Sequence, residues 1–144
     1  MATTSSMDRR IGWKRSLAVF FTALTALLAY AGAVGLAGGG TDFGPTVNAR
    51  LPWHSPVLAG IGLALLVGLP MTVAAWLLPN NQRSDTAMIS IFAGGWLIGW
   101  IAVQLAVIRT LNPLQAACVG VGAVLIGLGM SVRHELGSRT RPRP

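Results

Sequence analysis

The stretch SLAVFFTALTALLAYAGAVGLAG, residues 16–38, contains no Asp, Glu, Lys, Arg or His. An α-helix rises about 1.5 Å per residue, so about 20 apolar residues cross a hydrocarbon core of ~30 Å. This stretch is long enough to do so. Three others are also long enough and share its lack of charge: residues 56–78, 86–108 and 113–132. Four uncharged spans joined by short links predict an all-α integral membrane four-helix bundle.

Composition agrees. Of 144 residues, 53% are hydrophobic and 10% are charged, and the mean hydropathy is +0.62. A soluble domain carries about 25% charged residues. Too few charges are present to cover a water-facing surface of this size, so lipid is the expected solvent and the bilayer the first partner.

The links fit a compact bundle. Residues 79–85, Pro-Asn-Asn-Gln-Arg-Ser-Asp, form a polar turn between the second and third spans. Arg109-Thr110-Leu111-Asn112 is short enough to make spans three and four an antiparallel hairpin. Only the first link, residues 39–55, is long enough to hold structure of its own. The domain plan is therefore a basic N-tail over residues 1–15, a transmembrane domain over 16–132, and a disordered basic C-tail over 133–144.

Orientation follows from the basic residues. Eight of the eleven lie in the tails: Arg9, Arg10, Lys14 and Arg15, then Arg133, Arg139, Arg141 and Arg143. With both termini inside, the cytoplasmic side holds these and Arg83, and the far side holds Arg50 and Arg109. That asymmetry obeys the positive-inside rule and predicts an N-in, C-in protein of the cell membrane. Trp13, Trp53 and Trp76 fall near span ends, where interfacial aromatic belts sit. The net charge of +7 belongs to the tails and lacks an aromatic-interleaved basic surface, which argues against nucleic acid. Anionic lipid head groups are the expected partners of those tails. Asp8 to Lys14 faintly resembles a twin-arginine signal, but the apolar stretch that follows exceeds a signal h-region of ~7–15 residues, so an uncleaved anchor is expected.

Small residues four apart mark close-packing faces in lipid. Span one offers Ala31, Gly35 and Gly39; span two Gly60, Ala64 and Gly68. Span three offers Gly95, Gly99, Ala102 and Ala106; span four Ala116 with Gly120, and Ala123, Gly127 and Ser131. Internal packing is the expected use of these stripes, and contact with a partner protein or a second copy is the alternative. Pro70 lacks an N–H and leaves the Leu66 carbonyl without its helical partner, so a kink is expected in span two.

No catalytic, cofactor-binding or metal-ligating set emerges. Gln104 lies on one side of span three with Trp96 and Trp100, either as a functional face or as a packing residue bonded to a neighbouring helix. On span one Thr22, Thr25 and Tyr30 are the polar groups within the apolar stretch, and the threonines are expected to bond one turn back. Asp42, His54 and Ser55 share the first link, but adjacent His54 and Ser55 cannot readily reach triad geometry and no nucleophile elbow surrounds them. The single cysteine, Cys118, rules out an intramolecular disulfide and a CxxC pair. His54 and His134 fall on opposite predicted faces.

Arg outnumbers Lys, and Gly94-Gly95-Trp96-Leu97-Ile98-Gly99-Trp100 is rich in Gly and Trp. In hydropathy and in such stretches the chain resembles small four-span membrane proteins of GC-rich bacterial genomes. That resemblance implies a membrane bundle and assigns no residue a role. In span number it is similar to small multidrug transporters, whose first span carries a glutamate that is missing here. Proton coupling is hard to arrange without an intramembrane titratable group. The expected function is a non-enzymatic accessory or scaffold subunit of a membrane assembly, with a small transporter or channel for a neutral or lipophilic solute as the alternative.

Overall fold

The computed structural model describes residues 2–39, 45, 55–109, 111 and 113–139. They form four helices: α1 (Ala2–Ala37), α2 (Pro56–Asn80), α3 (Arg83–Ile108) and α4 (Pro113–Arg139). No strand occurs among the described residues. All four helices are long and apolar enough to cross a membrane, and only 22–39% of each apolar window is buried inside the bundle. Most of the apolar surface therefore faces outward, as on Leu27, Val34 and Phe92. Outward apolar surface on that scale needs lipid around it. The chain is an all-α, multi-pass membrane bundle.

The helices run up, down, up and down, each beside the next, and α4 closes the ring against α1. The core lies along the axis and includes Ala18, Ala26, Ala29, Val67, Met71, Ala74, Leu97 and Leu125.

The α3–α4 hairpin is an extensive interface, and its seam is built on glycines. A Cβ placed on Gly122 would lie 2.6 Å from Ile98 Cγ1 and 2.9 Å from the Gly94 carbonyl oxygen. One on Gly129 would lie 2.7 Å from the Ala87 oxygen. Ala87 and Gly94 are seven residues apart, as are Gly122 and Gly129. A seven-residue repeat of small residues lets two antiparallel backbones stay in contact over several turns.

This seam corrects the expected packing faces. Gly95, Gly99, Gly120 and Gly127 have open space where a Cβ would stand. Ala102, Ala106, Ala116, Ala123 and Ser131 are exposed with them. The four-residue stripes read on spans three and four thus face away from the bundle, and the stripe one residue earlier on α3 makes the contact. On α2 the expectation holds at Gly60, which meets the Ala33 oxygen, and at Gly68, which lies under the Tyr30 ring. On α1 the buried face is Ala26, Ala29 and Ala33, with Ala31 and Gly39 exposed.

The C-tail also differs from expectation, and both terminal helices run on past their spans. Residues 2–15 continue α1, and residues 133–139 continue α4 instead of forming a disordered tail; residues 140–144 lie outside those described. The cause is a second small core. Ile11, Ala87 and Val132 are buried together, with Met7 and Leu136 packed against them. Met7 with Ile11, and Val132 with Leu136, are i, i+4 pairs, so each helix presents one apolar edge beyond its span.

The turns obey local rules. Asn81 and Gln82 join α2 to α3, and Asp85 lies in the first turn of α3, where a carboxylate suits the helix dipole. α3 ends on Arg109, whose φ of 53° is left-handed and whose N–H bonds the Leu105 oxygen at 3.0 Å. Glycine is the usual residue for that cap.

Candidate functional site

Pro70 organises the most irregular part of the bundle. Residues Ala64–Gly68 form a π-helical turn, closed by the Leu69 N–H bonding the Ala64 oxygen. Pro70 has no N–H to offer the Leu66 carbonyl. The missing donor comes from another helix: Trp96 Nε1 of α3 donates to the Leu66 oxygen at 2.7 Å. Phe92 stacks on Trp96 with ring centroids 6.2 Å apart. On the other side of the bulge, Thr72 Oγ1 donates to the Gly68 oxygen at 2.8 Å, and Tyr30 Oη lies 3.2 Å from Thr72 Oγ1. The bulge is therefore tied to α3 by an indole and to α1 by a phenol.

This arrangement divides the Trp96–Trp100–Gln104 stripe. Trp96 is engaged with α2. Trp100 is half-buried against the core, and its Nε1 is buried with no partner among the described residues. Gln104 is half-buried, and the described residues show no hydrogen bond from it to another helix. The orphaned Leu66 carbonyl is evident in the sequence but its donor is not, because Trp96 is thirty residues away and on a different hairpin.

Several other polar groups have structural partners, whereas Ser90 Oγ on α3 is buried with none among the described residues. Thr22 bonds the Ala18 oxygen at 2.8 Å and Thr25 the Phe21 oxygen at 2.7 Å, one turn back as expected. Ser55 Oγ accepts the Leu58 N–H at 3.4 Å and caps α2, with Pro56 in the first turn. Asp42, Arg50, Trp53 and His54 lie outside the described residues. Cys118 is half-buried on α4, and His134 is exposed.

The ends of all four helices nearest the termini form a charged layer. Lys14 Nζ pairs with Glu135 Oε1 at 2.6 Å, and Arg83 pairs with Asp8. Arg15 donates to the carbonyls of Leu78 and Asn81, the latter at 2.9 Å, and so caps the C-terminus of α2. A cation there also faces the negative end of the helix dipole.

The broad outward faces of α3 and α4 complete the candidate site. One carries Gly95, Gly99, Ala102 and Ala106; the other carries Gly120, Ala123, Gly127 and Ser131. All are exposed. Small residues here leave shallow grooves bordered by large side chains such as Phe92, Val103, Val124 and Met130. Such a surface admits close approach of another helix. Comparison with known proteins returns no matching family model, no similar curated protein and no similar solved structure.

Proposed function

We propose that this chain is a non-enzymatic accessory or scaffold subunit that docks membrane helices of an assembly onto the outward faces of α3 and α4. The observation that supports this reading is the position of the small-residue stripes. The bundle closes on Gly94, Gly122 and Gly129, so Gly95, Gly99, Gly120 and Gly127 are not needed for its own packing. Lipid gains nothing from a groove, whereas a second helix gains van der Waals contact along it. On the same reading both termini lie in the cytoplasm of a bacterial cell, with anionic lipid around the basic ends and no reaction catalysed by the chain.

The test is purification of tagged protein from its native membrane in mild detergent, for the wild type and for Gly99→Leu with Gly127→Leu. Support requires a stoichiometric partner that the double variant loses while its own thermal unfolding stays unchanged. A homo-oligomer that conducts a neutral solute in vesicles, untouched by the two substitutions, would favour the transport reading instead. Reporter tags on each terminus test the orientation.

A further inference from the structure

We infer that Arg9, Arg10 and Trp13, with Ser6 beside them, form a binding site for the head group of an anionic phospholipid. The inference rests on the contact with anionic lipid proposed above and names its site; it does not depend on the docking of a partner protein.

The basic residues of the terminal layer fall into two sets. Lys14, Arg15 and Arg83 are engaged inside the protein, with Glu135, with the α2 carbonyls and with Asp8. Arg9 and Arg10 are exposed and make no hydrogen bond or ion pair among the described residues. The nearby acids, Asp8 and Glu135, are already taken by Arg83 and Lys14.

Helix geometry explains the division. At about 100° per residue, Ser6, Arg9, Arg10 and Trp13 fall within an arc of about 100° on α1. Met7, Ile11, Lys14 and Arg15 occupy the next arc, which faces the bundle, and hold the helix to it. The four outward residues line a single open cleft. It combines two guanidinium groups with the flat face of an indole that is 64% exposed.

Depth identifies the occupant. From Ala37 at one end of α1 to Arg10 is 27 residues, or about 41 Å at 1.5 Å per residue. A bilayer including its head groups measures about 40–45 Å. With Ala37 at one surface, Arg9 and Arg10 therefore stand at the phosphate level of the opposite leaflet. Trp13 lies one turn deeper, in the zone interfacial tryptophans prefer. A guanidinium fork matches phosphate oxygens in a bidentate manner, and adjacent forks suit a phosphodiester. The indole then covers the glycerol and the upper acyl chain.

The test uses the full-length protein in mild detergent micelles with equal parts phosphatidylglycerol and phosphatidylcholine, read by native mass spectrometry. The wild type is expected to retain phosphatidylglycerol preferentially. A basic side chain near an anionic leaflet contributes ~1 kcal/mol, about five-fold, so Arg9→Gln with Arg10→Gln is expected to weaken retention by about thirty-fold. Its melting temperature in phosphatidylcholine alone is expected to stay at the wild-type value, because neither arginine holds the fold. Lys14→Gln is expected to behave oppositely, lowering the melting temperature while keeping the lipid preference. An unchanged preference in the double variant overturns the inference, as does loss of preference in Lys14→Gln. Displacement of the lipid by an equal concentration of inorganic phosphate also overturns it, by showing a site for soluble anions.

Discussion

Replacing Trp96 with Phe removes the indole N–H that serves the Leu66 carbonyl and keeps a ring that can stack on Phe92. Interhelical hydrogen bonds in membranes average ~0.6 kcal/mol and reach ~1.7 kcal/mol, because a released group usually finds another partner. For Leu66 the N–H one α-helical turn on is absent at Pro70, so that usual partner cannot replace the indole. Both residues are also about two-fifths exposed on the lipid-facing surface, Trp96 at 42% and Leu66 at 39%, so water does not replace the lost donor. The cost of Trp96→Phe is therefore expected near the upper end, ~1.5 kcal/mol. Pro70→Ala returns an N–H to α2. In that background Trp96→Phe is expected to cost only ~0.5 kcal/mol, giving a coupling energy of ~1 kcal/mol. The assay is reversible unfolding in mixed micelles titrated with sodium dodecyl sulfate, for the wild type, both single variants and the double variant. A coupling within about 0.3 kcal/mol of zero refutes the reasoning, since additivity on that scale is what independent sites show.

Three other outcomes follow from the same structure. Gly122→Ala places a methyl group 2.6 Å from Ile98 and is expected to cost ~1–3 kcal/mol through overpacking, whereas Gly95→Ala meets open space and is expected to be neutral or stabilising in the same titration. Arg109→Gly relieves a left-handed non-glycine cap at φ 53° and is expected to stabilise by ~1 kcal/mol, read as a raised unfolding midpoint. Ile11→Ala empties the centre of the small terminal core, where Ile11 is fully buried, and is expected to cost ~2–4 kcal/mol locally. Hydrogen exchange should then quicken over residues 5–14 and remain slow over residues 18–33.

The architecture was legible because one physical constraint outweighs the others. An uncharged helical length of about 20 residues admits few solutions other than a span, and residues 16–38, 56–78, 86–108 and 113–132 all coincide with helices of that kind. Facing was less legible. Gly94 and Gly95 are adjacent, and so are the four-residue and seven-residue readings of spans three and four. Burial cannot choose between them where hydrocarbon surrounds the outside and apolar side chains fill the inside. A soluble helix would have separated the two faces by polarity; here both faces are apolar. The terminal layer was hidden for a different reason. Met7, Ile11, Val132 and Leu136 are scattered single hydrophobes within charged sequence, and only their partners on other helices show that they pack. At the candidate site, the sequence pointed to the orphaned carbonyl of Leu66 and to Trp96 separately. Their meeting is a tertiary fact.

The charged layer bears on how the chain keeps its orientation after insertion. During insertion Lys and Arg decide the topology, while Asp and Glu contribute little. Once folded, the acids matter. Asp8 on α1 holds Arg83 on α3, and Glu135 on α4 holds Lys14 on α1. Arg15 joins α1 to the end of α2. The first helix is thereby fastened to each of the other three at its polar end. Turning it over would drag those charges through hydrocarbon and break all three fastenings at once. A chain that has folded in one sense is held in it by these contacts.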